Sequence, residues 1–223
     1  MTVSSKLKLW QGVAVVSLAL VLGGCSSESD SHAKTEQAHT QKSDTQHTHS
    51  VSQNQKAQLK KEVIQYFKQH SSSQAPAFTT RYFAGGTISS GDWYAVTPKG
   101  QLQVSNRGKP GAKAFKKHNV VGMTTYTSKD GRKGLDPQAK SVSNIEGYTR
   151  VAKMDRPIKK YLFADDGKVY EAKFSGQDTT LSSGFAPKDH NDKDPNLAPN
   201  EVFKPTSDKQ LADFWKRILE EAD

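Results

Sequence analysis

The sequence predicts an α+β domain: a mostly antiparallel sheet with a helix before it and a C-terminal amphipathic helix packed on it. Three observations carry this expectation. Residues 208–221 hold a single apolar stripe at helical spacing. Asp166-Gly167 joins two strand-like runs. Between Phe78 and Phe174, β-branched and aromatic runs alternate with Pro- and Gly-containing turns.

The elements follow in chain order. Lys6 and Lys8 precede an apolar run from Val13 to Leu22, interrupted by Ser17. Ten helical residues span roughly 15 Å, about half of a bilayer's hydrocarbon, so the run reads as a signal-peptide core and not as a membrane span. It closes in Leu22-Gly23-Gly24-Cys25-Ser26. This box resembles that of bacterial lipoproteins, with a branched aliphatic residue three before the cysteine and small residues between. The resemblance implies cleavage after residue 24 and a diacylglyceryl group on Cys25. Two acyl chains give stable anchoring where one is marginal. The expected location is therefore the extracytoplasmic face of the cell membrane. Cys25 is the only cysteine, so the domain folds without an internal disulfide.

Residues 25–53 read as the lipidated cysteine and a polar tether. The segment is nearly devoid of apolar side chains and cannot offset the entropy of ordering. As a coil it reaches about 30 Å. His32, His39, His47 and His49 lie in it, without the cysteines or regular spacing of a defined metal site. Residues 54–75 read as a helix, capped by Asn54, and a short linker. Leu59, Val63 and Phe67 recur every fourth residue, with Ile64 beside them. Residues 76–223 form the expected single globular domain.

Within that domain, Thr97-Pro98-Lys99-Gly100 is a turn between Trp93–Thr97 and Leu102–Val104. Val120–Thr127 is a third strand, ended by Ser128-Lys129-Asp130-Gly131. Lys159–Phe174 is the clearest hairpin. A two-residue turn at Asp166-Gly167 sets Phe163 opposite Tyr170 and Tyr161 opposite Ala172. Lys160, Leu162, Glu171 and Lys173 then fall on a second, wetter face. In the closing helix Leu211, Phe214, Trp215, Ile218 and Leu219 share one side, and Ser207 or Asp208 is a suitable cap.

The net charge is +9. Lys99 to Lys173 carries 17 basic and 7 acidic residues, whereas Phe174 onward carries 6 basic and 10 acidic. Lys113, Lys116 and Lys117 are candidate anion-binding residues. Outside a membrane the available polyanions are lipid headgroups and wall polymers; nucleic acid does not fit that compartment. The loop Gly184–Asn196 is rich in Asp, Asn and Pro, and neither register satisfies the calcium-loop rule. Lys188, Asp189, His190 and Asn191 are its candidate ligand-contacting residues. Phosphate loops, dinucleotide fingerprints, zinc-protease motifs and serine elbows are absent from the sequence. The expectation is accordingly no catalytic residue, no metal and no cofactor. Two function classes remain: a non-catalytic envelope module for an anionic wall polymer, a lipid headgroup or another surface protein, and a cell-envelope hydrolase using His118 or His190 with a carboxylate.

Asp92-Trp93-Tyr94-Ala95, Gly108-Lys109-Pro110-Gly111, His118-Asn119-Val120-Val121-Gly122, Tyr161-Leu162-Phe163-Ala164, Gly167-Lys168-Val169-Tyr170 and Gly184–Asp189 resemble a family of Gram-positive, lactobacillus-type surface lipoproteins. The resemblance spans about 130 residues. It implies a Gram-positive envelope and contributes no chemistry.

Overall fold

The computed structural model describes residues 48–70, 76–84, 90–107, 115–175, 179–188 and 193–223. The signal segment, Cys25 with its box residues Leu22, Gly23 and Gly24, most of the tether, Lys113, Asp189, His190 and Asn191 lie outside them. No helix among the described residues is long and apolar enough to cross a membrane.

Helix α1 runs Gln53–Gln69, one residue ahead of the expected start, because Ser52 and not Asn54 caps it. Ser52 Oγ accepts from the Gln55 N–H at 3.3 Å, and Gln55 Oε1 accepts from the Ser52 N–H at 2.7 Å. Two otherwise unpaired amides are satisfied reciprocally. The strands are β1 (Ala77–Thr79), β2 (Gly91–Thr97), β3 (Gly100–Arg107), β4 (Asn119–Tyr126), β5 (Gly134–Leu135), β6 (Ile158–Ala164), β7 (Val169–Phe174), β8 (Ala186–Pro187) and β9 (Lys204–Pro205). Helix α2, Lys209–Glu221, is capped by the Asp208 carboxylate on the Leu211 N–H at 3.0 Å.

Two sheets result, ordered β5-β1-β4-β6-β7-β9 and β3-β2-β8. All ladders are antiparallel except β1 with β5. The α+β expectation therefore holds, with the sheet divided in two. Residues of both sheets share one core, including Ala95, Leu102, Leu162, Tyr170 and Phe174, and Phe203 joins them. The opposite face of the larger sheet packs Phe78, Met123 and Phe163 against Leu59 and Val63 of α1 and Trp215 and Ile218 of α2. Helix α1 is thus part of the domain.

The β6–β7 hairpin corrects the predicted register. The Gly167 N–H donates to Ala164 O at 3.2 Å and the Ala164 N–H to Lys168 O at 2.9 Å, which makes a three-residue loop, Asp165-Asp166-Gly167. Gly167 takes φ +74°, the left-handed position that closes such a loop. Phe163 pairs with Val169, Leu162 with Tyr170 and Lys160 with Ala172. A one-residue shift on one strand exchanges which cross-strand partners share a face. Leu162, Tyr170, Ala172 and Phe174 therefore face the inter-sheet core, while Phe163 and Val169 face the helices. Neither face is the wet one.

Lys160 follows Leu162 into the inter-sheet core and is fully buried. Its ammonium donates to the carbonyls of Thr180, Leu181 and Ser183 at 2.9, 2.9 and 2.8 Å. It also lies 4.6 Å from the Phe185 ring centre and 5.3 Å from that of Phe174. Burial pulls its pKa well below the usual 10.5. All three ammonium protons are satisfied by backbone carbonyls.

Candidate functional site

The tip of the β6–β7 hairpin folds back over the start of β4. The Asn119–Ala164 pair anchors it, and the ladder slips by one residue before Val121–Phe163. Such a bulge re-aims the side chains at a strand end. Here it brings His118 against Asp165, the first residue of the hairpin loop. Asp165 Oδ1 accepts the His118 N–H at 2.8 Å, and Oδ2 meets His118 Nδ1 at 2.6 Å. The Asp165 N–H returns a bond to His118 O at 3.0 Å. The carboxylate side chain is 7% exposed and the imidazole 31%.

This pair lines a groove of about 420 Å³ with Lys56, Ser105 and Asn119. Residues 48–51 form another part of its wall. The His49 N–H donates to Asp165 O at 2.9 Å, and His49 Nδ1 lies 2.8 Å from Asp223 Oδ2. Val51 packs against the helix-side core. Residues ahead of 54 therefore pack on the fold, and His49, expected in the tether, belongs to the domain. Asn119 is buried; its Nδ2 donates to Tyr82 Oη at 2.9 Å, and its Oδ1 has no partner among the described residues.

A second groove, of about 410 Å³, shares Thr48 with the first. Lys99, Phe115, Lys116 and Lys117 line it. Lys99 and Lys116 are exposed. Lys117, expected as a surface anion ligand, is only 2% exposed. Its Nζ donates to Thr97 Oγ1 at 2.7 Å and sits 5.0 Å from the Tyr170 ring centre. Burial lowers its pKa, opposed by Asp166. Lys117 is thus a packed residue that adds positive potential to the groove, and Lys116 is the member of the predicted trio at the surface.

Lys188 is half-buried. Its N–H donates to Asp92 O at 2.7 Å, and its ammonium lies 5.7 Å from the Tyr94 ring centre, away from these grooves' linings. A larger groove of about 620 Å³ separates α1 and α2. Its aromatic faces are already used: Tyr66 stacks on His70 at 4.0 Å and on Phe214 at 4.3 Å. Among the described residues, no three His, Cys, Asp or Glu side chains assemble as metal ligands.

Sequence reasoning singled out His118 but missed Asp165, 47 residues away, and Lys56, on the opposite side of the fold's connectivity. Neither pairing has a local signature. No protein-family model matches the chain, and neither a curated protein nor a solved structure matches it.

Proposed function

We propose that the protein is a lipid-anchored envelope module, held through Cys25, whose paired grooves bind a phosphate-rich anionic polymer of the wall. The observation that carries the binding reading is the meeting of the two grooves at Thr48, with Lys99 and Lys116 in one and Lys56 in the other. Lysine binds phosphate as a point charge, which suits a flexible polymer better than a shaped small molecule. Of the carboxylates in this region, Asp165, the one that lines the groove, is turned inward onto His118, and Asp223 is paired with His49. The lipoprotein-like box ending in Cys25 supports the anchor, and the family resemblance supports a Gram-positive envelope.

The test is retention of the purified protein on cell walls with and without their teichoic acid. Expected is retention that needs the phosphate polymer, falls as salt rises, and is lost on replacing Lys56, Lys99 and Lys116 by Gln. Retention indifferent to salt or to those lysines overturns the binding reading. The anchor is tested separately by labelling with a fatty-acid analogue. A Cys25→Ala protein that still takes label or stays equally membrane-bound overturns it.

A further inference from the structure

We propose that the groove lined by Lys117 is a phosphate seat, in which an oxygen of one phosphate group accepts from the buried Lys117 ammonium while Lys99 and Lys116 hold the anion from the rim. The inference deepens the wall-polymer reading above and rests on it only for the source of the phosphate.

The fold holds two buried lysines and treats them differently. Lys160 spends its three ammonium protons on three carbonyls, as a wholly structural charge must. Lys117 is almost as fully buried, yet Thr97 Oγ1 at 2.7 Å is its one hydrogen-bond acceptor among the described residues. That hydroxyl donates its own proton to Gly100 O at 2.7 Å and also accepts the Lys99 N–H at 3.2 Å. It is therefore fully committed, and it fixes Lys117 Nζ beside the β2–β3 turn. The face of Tyr170 takes a second direction. At least one proton of a buried cation is left without an oxygen, which costs free energy until a ligand supplies one.

The nearby carboxylates do not fill that position. Asp165 is bonded to His118 through both oxygens, and Asp166 Oδ2 accepts from Tyr170 Oη at 2.6 Å. Both act on Lys117 through space, and Lys99 and Lys168 oppose them. The groove itself has no carboxylate among its described lining residues, whereas three of them are lysines: Lys117 buried, Lys99 and Lys116 exposed. One sign of charge along a concave surface concentrates the opposite sign. Phosphate fits such a seat because its tetrahedral oxygens let one reach the buried ammonium while others meet the rim, and lysine serves it as a point charge without demanding a planar partner.

The probes are inorganic phosphate and glycerophosphoglycerol, a single phosphodiester. Each is added to the full chain in mild detergent at an ionic strength held constant with chloride. In protein isotopically labelled at lysine Nζ, both probes should move the Lys117 ammonium resonance and leave that of Lys160 in place. Lys117→Met should weaken phosphodiester binding about 10- to 100-fold, as expected for one lost hydrogen bond between charged partners. A Lys117 resonance indifferent to both probes overturns the proposal. So does a Lys117→Met protein, shown folded by circular dichroism, that binds the phosphodiester like wild type; if that variant fails to fold, the wild-type titration alone decides. A response to inorganic phosphate but not to the phosphodiester upholds the seat and defeats the polymer as its source. Salt-sensitive wall retention unchanged in Lys117→Met defeats this inference alone.

Discussion

Replacing Lys160 by Met isolates what one buried ammonium contributes. Methionine is close in length and keeps the contacts with Phe174 and Phe185, but it removes the donor shared by the carbonyls of Thr180, Leu181 and Ser183. A hydrogen bond to a charged group contributes about 1.5–3 kcal/mol, so three represent roughly 4–9 kcal/mol. Relief from burying the charge returns several kcal/mol. The expected net loss is about 3 kcal/mol, in line with the ~3–5 kcal/mol that follows removal of one partner from a buried charged arrangement. With a urea slope of about 2 kcal/mol/M, the unfolding midpoint falls by roughly 1.5 M. Limited proteolysis should find new cleavage within residues 179–185, since those carbonyls lose their common donor. A Lys160→Met protein with an unchanged or higher midpoint and an intact loop would show that the three contacts do no more than compensate the cost of burial, and would refute the reasoning.

Two further outcomes follow from the same core. The folded protein holds Lys160 with a pKa below 10.5, so the unfolded chain binds the extra proton; stability therefore rises with pH from the folded value up to about 10.5. Urea midpoints measured across alkaline pH should climb over that window in the wild type, and Lys160→Met should lack this part of the climb. A methyl group at Gly122 would meet the Tyr82 ring at 2.4 Å. Gly122→Ala should destabilise by about 1–3 kcal/mol in urea. It should also shift the absorbance titration of Tyr82, whose phenol burial pushes up to about 12.

The helices were the most legible elements because each carries its own signal: an apolar stripe at 3.6-residue spacing and a capping side chain one turn away. The α2 stripe from Leu211 to Leu219 packs as its spacing demands. The hairpin was legible as a hairpin and misread in register. Asp-Gly serves both a two-residue turn and the end of a three-residue loop, and the choice between them is made by tertiary contacts at Asp165. Lys160 was assigned to a wet face because a lysine's charge usually keeps it there; its burial depends on three carbonyls of a loop 20 to 23 residues later. The candidate site was half legible. His118 stands out as a histidine beside a basic cluster, whereas its carboxylate partner and the lysine of α1 are brought to it only by the completed fold.

The first and last helices lie on one face of the larger sheet and share one core. During synthesis, the part of this core that Trp215 and Ile218 fill is therefore the last to be closed. The helix-side core is completed only when the end of the chain has been made. The same arrangement makes the last fifteen residues a fastening: a protease that trims them would strip Leu211, Trp215, Ile218 and Leu219 from the helix-side core together.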